Sequence, residues 1–282
     1  MIKITTDSTS DLPRDIIEKY NIEVLPLIVN LGDNEFFDDG VSVTQDKIFE
    51  FVKQNNILPK TAARSIPDYV DFFERVLKDA DFIIHIGIGA ELSCSYRNAL
   101  LAKEEVDENR IFVVDSKSLS SGIGLLVLEA AKLANEGMHV NKIVERIEYL
   151  ANKAQTSFVV EKLDYLYKGG RCSKFSFSMG AMLKIKPRLQ LIDGKMINTG
   201  KDIGPTRVVL KKYVDFILSK YPNPKTDLCL LAYTKMDPNL LNEITEYVKS
   251  KGIFKEVRPQ LAGSVITSHC GESTLGMLYL CE

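Results

Sequence analysis

Short apolar runs alternating with helical stretches constrain the fold of this chain more than any other feature. IKITTDS is followed by LPRDIIEKY and IEVLPLIVNL, and DYVDFFERVLKDA, DFIIHIGIG, SYRNALLAKEE and IFVVDS repeat the rhythm. Strands separated by helices of about 10 to 15 residues predict βαβ units, with a parallel sheet covered by helices on both faces. Helices over 122–135 and 141–156 complete this part of the chain. The texture then changes to SFVVEKL, a Gly169-Gly170 turn, SFSMGAMLK, KPRLQLIDGKMINTG, the helix RVVLKKYVDFILSKY, DLCLLAYT, a helix over 238–251 and EVRPQLAG. Asp193-Gly194, between LQLI and KMINTG, is a hairpin signal, so this part should hold a mixed sheet.

The predicted architecture is therefore α/β in two domains, a number that suits 282 residues. Residues 1–156 form an N-terminal α/β/α domain with a parallel sheet, and residues 157–282 a C-terminal α/β domain with a mixed sheet. No repeat or low-complexity linker separates them, so close packing is expected.

The 36 basic and 38 acidic residues are interleaved along the chain and leave a net charge of −2, which lacks the electrostatic footprint of a nucleic-acid partner. Met1-Ile2-Lys3-Ile4 enters a strand pattern without a signal-peptide pattern, and no apolar run approaches the roughly 20 residues of a membrane span, so a cytoplasmic location is expected. The five cysteines, Cys94, Cys172, Cys229, Cys270 and Cys281, are scattered and never spaced Cys-x-x-Cys. His85, His139 and His269 also lack metal-ligand spacing, and neither a metal nor a cofactor is predicted.

In an open α/β sheet, ligands gather beyond the carboxyl ends of the strands. Three such ends carry small hydroxyl residues: Thr6-Asp7-Ser8, Ser93 after FIIHIGIG, and Asp115-Ser116 after IFVV. Thr61 lies in the extended LPKTAA segment. Each of these residues could instead cap its own helix, and Ser65 with Asp68 is read wholly as a capping box. Convergence on one rim favours a ligand with a carboxylate or phosphate. Gly169-Gly170 should form a tight turn that projects Arg171, either as a solvated helix end or as a surface contact. SVITSHCGESTLG is read as a β-like run meeting His269 and Gly271 before the strand LGMLYLC.

The ordered set Thr5-Thr6-Asp7-Ser8-Thr9-Ser10-Asp11-Leu12-Pro13, Lys60-Thr61, Gly87-Ile88-Gly89 with Leu92-Ser93, Val114-Asp115-Ser116, Gly169-Gly170-Arg171 and His269-Cys270-Gly271 resembles the DegV family of fatty-acid-binding proteins over essentially the whole chain. The resemblance implies a long-chain fatty acid such as palmitate in a buried tunnel between the domains. Thr61 and Ser93 would hold its carboxylate, with His269 near the head group, and Ser8 and Ser116 are read from their strand-end positions as further ligand-binding hydroxyls. It also implies that Arg171 lies where a fatty acid kinase docks to phosphorylate the acyl group, and that the chain is a carrier in lipid transport or fatty acid metabolism with no catalytic residue of its own. Two departures stand out. Ala62-Ala63-Arg64-Ser65 replaces the usual Ser-Gln-Pro-Ser, and His269-Cys270-Gly271-Glu272-Ser273 replaces His-x-Gly-Pro-Gly.

Two enzyme readings compete. Asp7 after the first strand could serve as a phosphatase nucleophile, but a second acid is expected two positions on, where Thr9 stands. Ser93 or Ser116 with His269 could form a hydrolase site, but neither serine lies in a Gly-x-Ser-x-Gly elbow.

Overall fold

The computed structural model describes residues 1–171 and 185–282; the SFSMGAMLK segment and Cys172 lie outside the described residues. The elements in chain order begin with β1 (Ile2–Asp7), α1 (Arg14–Tyr20), β2 (Glu23–Leu25), β3 (Ile28–Leu31), β4 (Asn34–Phe37), α2 (Gln45–Asn55), β5 (Lys60–Ala62) and α3 (Ile66–Leu77). There follow β6 (Phe82–Gly87), α4 (Ser95–Val106), β7 (Ile111–Asp115), α5 (Ser121–Asn135), α6 (Val140–Ala151), β8 (Ala154–Val159) and α7 (Asp164–Lys168). The chain then continues through β9 (Ile185–Ile192), β10 (Lys195–Ile203), α8 (Thr206–Lys220), β11 (Leu228–Tyr233), α9 (Pro238–Lys249), β12 (Glu256–Leu261), α10 (Ser264–Cys270) and β13 (Leu275–Leu280).

The fold is α/β, with the expected parallel sheet in the order β2-β1-β6-β7 and a mixed six-stranded sheet in the order β10-β9-β8-β13-β11-β12. In the mixed sheet β11 and β12 run parallel and the remaining pairs antiparallel. The division expected at residue 156 falls inside β8. The Asp193-Gly194 hairpin forms as expected: Ile192 pairs with Lys195, and both turn residues have positive φ, which glycine adopts at little cost. Ser65 and Asp68 make the capping box.

Three segments differ from the sequence-based expectation. IEVLPLIVNL is not one strand. Pro26, which cannot donate to a sheet ladder, divides it into β2 of the parallel sheet and β3 of a three-stranded antiparallel sheet ordered β4-β3-β5. The helix expected over 141–156 ends at Ala151, because Asn152 and Lys153 close its last turn and Ala154 already pairs with Leu280. The β-like run SVITSHC is the helix α10. Its first backbone amides are accepted by side chains from elsewhere in the chain, and its far end stops at Gly271, so tertiary contacts override the β-preference of Val265, Ile266 and Thr267.

Helix α5 explains how the two large sheets come together. Leu125, Leu126 and Val127 are buried alongside Ile123 and Ala130, so the helix has apolar contacts on more than one side. The same core joins Ile4, Ile84 and Val114 of the parallel sheet to Leu230 and Leu278 of the mixed sheet. The three-stranded sheet packs with α2 against α10 through Leu27, Val29, Ile48 and Val265. These contacts place strand ends, the small sheet and α10 around one space.

Candidate functional site

In the parallel sheet the chain moves to opposite sides of β1 to form β2 and β6, which puts a switch point at the carboxyl ends of β1 and β6. The residues just beyond β6, Ile88, Leu92 and Ser93, together with Leu119 beyond β7, form one wall of a cleft. Opposite them α10 presents Val265, Ile266 and His269, while Thr61, Ala62 and Ala63 enter from β5 and its exit. Leu27, Leu166, Arg171, Met196 and Cys270 complete the lining. The free space within the cleft is small, about 50 Å3, and one side of it is open to solvent. A further space, of about 20 Å3, shares Leu119, Ile266 and Cys270 with the cleft and is also lined by Phe158, Ala232 and Leu278.

The polar groups of this lining are few. Thr61 Oγ1 lies 2.8 Å from His269 Nε2. Burial, reinforced by the charge of Arg171, lowers the His269 pKa to about 4, so the imidazole is neutral at pH 7. His269 Nδ1 is buried and has no hydrogen-bond partner among the described residues. It lies against Gly169, where a Cβ would stand 2.6 Å from Nδ1 and 2.9 Å from the Tyr165 carbonyl oxygen. Only a residue without a Cβ leaves room for this histidine. Ser93 Oγ is 3.0 Å from Ser95 Oγ and accepts a bond from the Ser95 amide at 3.2 Å.

The structure thus brings Thr61, Ser93, His269 and Arg171 to one cleft and leaves Ser8 and Ser116 outside its lining. Ser8 Oγ accepts from the Leu27 amide. Ser116 is fully buried, donates to the Ser118 carbonyl and accepts from the Ser118 amide. The Ser116 hydroxyl thus completes its own turn, whereas that of Ser8 ties the end of β1 to Leu27, 19 positions on. Arg171 is exposed at the end of α7, after Gly170 in the left-handed region, and donates from Nη1 to the Gly169 carbonyl at 2.7 Å. Arg64, one of the departures in the Lys60-Thr61 segment, pairs with Asp68 and stacks over Phe37 instead of lining the cleft.

Sequence reasoning missed the apolar walls. Leu119, Leu166, Met196 and Ile266 lie in four different segments, and nothing in their local spacing sets them apart from core residues. Gly169 carried a signal, since a Gly-Gly pair was visible, but its function as clearance for a histidine 100 positions away was not. Among the described residues no group of three or more His, Cys, Asp or Glu side chains could hold a metal ion, and no helix is long and apolar enough to cross a membrane.

Comparisons with known proteins agree with this architecture. A family model described as "Uncharacterised protein, DegV family" matches residues 1–282. A DegV domain-containing protein of Caldanaerobacter subterraneus subsp. tengcongensis is 33% identical over 283 residues, covering 99% of this chain and 98% of that protein. The solved fatty-acid-binding DegV family protein of Thermus thermophilus superposes with a TM-score of 0.89 at 29% identity, over 100% of this chain and 99% of the other. DegV of Bacillus subtilis, a fatty acid binding protein, superposes with a TM-score of 0.84 at 25% identity, over 100% and 99%.

Proposed function

The chain belongs to the DegV family, and on that premise we propose that it binds one long-chain fatty acid in this cleft as a carrier without a catalytic site of its own. The observation that carries the proposal is an apolar cleft, beside a second apolar space with which it shares Leu119, Ile266 and Cys270, whose few polar groups include two hydroxyls and a neutral histidine. The acyl tail runs from the Thr61 and Ser93 region past Leu119 and Ile266 toward Phe158 and Leu278. Burying a 16-carbon tail at about 0.8 kcal/mol per CH₂ gains roughly 12 kcal/mol before ordering costs, which suffices for micromolar binding or tighter.

The head group then needs only to keep its hydrogen bonds. With the proton on Nε2, His269 donates to Thr61 Oγ1, which leaves the threonine hydrogen free to donate to the carboxylate; Ser93 supplies a second donor. Held by hydroxyl donors, the group stays accessible to a reaction partner. That partner, in our reading, is a fatty acid kinase docking around Arg171 in the cytoplasm, with palmitate among the acids presented.

The enzyme readings fit the geometry less well. Asp7 is fully buried, and its two oxygens accept from the Thr9 amide, the Thr9 hydroxyl and the Ile88 amide, which leaves no attacking lone pair at the surface. Ser116 is buried. His269 Nε2 faces Thr61, and Ser93 pairs with Ser95.

Mass spectrometry of the purified protein under native and denaturing conditions is expected to find one bound fatty acid of 14 to 18 carbons, taking as the range acids near the length estimated above. Protein that emerges empty and takes up no added palmitate contradicts the proposal. Arg171→Ala should keep its lipid while kinase-dependent acyl phosphorylation slows; equal loss of lipid would place Arg171 at the ligand instead. Gly169→Ala puts a methyl into His269, so the imidazole resonances should shift and lipid affinity fall about tenfold, the equivalent of one lost hydrogen bond.

A further inference from the structure

Two carboxyl groups outside the cleft converge on the start of α10. The Gly263 amide donates to Asp11 Oδ1 at 2.8 Å, and the Ser264 amide donates to Asp38 Oδ1 at 2.7 Å. A Cβ built on Gly263 would lie 2.8 Å from Asp11 Oδ1 and 3.2 Å from each Asp38 oxygen, so both carboxyl groups crowd the same Cα. Both side chains are buried, at 6% and 5% exposure. Asp11 Oδ2 accepts from the Ser120 hydroxyl, whereas the buried Asp38 Oδ2 has at most the nearby Ser8 hydroxyl as a partner among the described residues. Neither carboxyl has a cationic partner among the described residues.

Two buried carboxylates this close to one backbone position, with no cation to balance them, are unfavourable as a pair of anions, and sharing one proton relieves the repulsion. Burial raises both groups above the ordinary carboxylate value, Asp11 strongly, and the charge of Asp38 raises Asp11 further. The surrounding titratable groups do not reverse this. Asp7 from β1 adds negative charge, Asp39 lines with Asp11 and Asp38 a groove on the outer side of the pair, Lys235 is paired to Asp46, and the Cys270 thiol of α10 is itself pushed up to about 12 by burial and by Asp11. Arg14 and Glu18 of α1 line the outer groove.

The position of the pair links it to the cleft. Asp38 follows β4, whose sheet carries Thr61 on β5, and α10 carries His269 at its other end. We propose that Asp11 and Asp38 are positioning residues that share one proton, seat the first turn of α10 against the small sheet, and thereby hold Thr61 and His269 in register for the ligand. Loss of that proton sets two anions against each other at Gly263, loosens the seat and speeds release of the fatty acid. This rests on the reading of the cleft as a fatty-acid site.

The sign of the pH effect follows from where the proton binds. The fold holds a proton that the unfolded chain releases near the ordinary carboxylate range, so stability declines as pH rises from that range toward the raised folded values. An Asn in place of one carboxyl keeps an acceptor for the backbone amide and removes the repulsion. Release of a fluorescent fatty acid from the intact protein to albumin is measured from pH 5 to 9, together with thermal melting of the lipid-free protein. Release from the unmodified protein should accelerate with pH, by at most about tenfold per unit for one linked proton. In Asp38→Asn the acceleration should flatten, and its melting temperature should decline less with pH. Asp11→Asn repeats the test from the other carboxyl if Asp38→Asn does not fold.

Identical pH profiles in the unmodified and substituted proteins overturn the proposal, as does a uniform loss of melting temperature at every pH, which would mark the aspartates as ordinary packing contacts. Protein that melts with the expected pH dependence but binds no fatty acid contradicts the reading of the cleft and leaves the shared proton standing.

Discussion

Removing both cleft hydroxyls with Thr61→Ala and Ser93→Ala is expected to weaken fatty acid binding by two orders of magnitude or more. Each hydroxyl that donates to a carboxylate contributes about 1.5–3 kcal/mol, and the carboxylate remains in a partly buried cleft after the donors have gone. Together the losses amount to roughly 3–6 kcal/mol, or about a hundred- to ten-thousand-fold in Kd. His269 sharpens the expectation, because loss of Thr61 removes the Nε2 partner of a ring whose Nδ1 already has none. Titration of delipidated protein with a fluorescent fatty acid measures the effect, and melting curves distinguish it from unfolding. A double variant that binds as tightly as the unmodified protein would mean that the tail alone carries affinity and that the head group lies elsewhere.

Tyr213→Phe is expected to lower the melting temperature by roughly 5–10 °C, the largest stability change that a single buried oxygen should produce here. Tyr213 is fully buried; its hydroxyl donates to the Ser157 carbonyl, accepts from the Met277 amide and lies 2.8 Å from Ser157 Oγ. Phenylalanine keeps the ring but strands the Met277 amide and removes a donor from the Ser157 carbonyl between β8 and β13, while Ser157 Oγ keeps its bond from Gln155 Nε2, at a cost of about 2–4 kcal/mol. The same burial pushes the Tyr213 pKa far above its ordinary value, so the side chain stays neutral over the working pH range. Tyr149→Phe, at an exposed position, serves as the control and should leave melting unchanged. An equal response in the two variants would show that the Tyr213 network contributes nothing.

Local patterns carried the elements whose stability is local. The β1 and β6 runs, the Ser65 capping box and the Asp193-Gly194 turn were legible because pleat, cap and positive-φ chemistry act over a few residues. SVITSHC misled for the converse reason. Its β-branched residues favour a strand, but Asp11 and Asp38, more than 200 positions upstream, accept its first amides and stabilise a helix. The end of α6 was misplaced because Ala154, Gln155 and Thr156 pair with β13, a partner that helical periodicity cannot register. Ser8 and Ser116 looked like rim hydroxyls, as strand-end position suggests, yet their bonds turn inward to Leu27 and Ser118.

By itself the sequence determined the α/β class, the parallel and mixed sheets, and the small hydroxyl and glycine residues available for a site, because all of these follow from periodicity and side-chain type. Tertiary structure alone decided which of those residues share a cleft. Thr61 meets His269 across 208 positions, and Gly169 makes room for that histidine. Leu119, Leu166, Met196 and Ile266 become walls only when α10 seats between the small sheet and the strand ends. The physical reason is that apolar attraction is non-directional: the pattern says which side chains leave water, and packing among distant segments says against what.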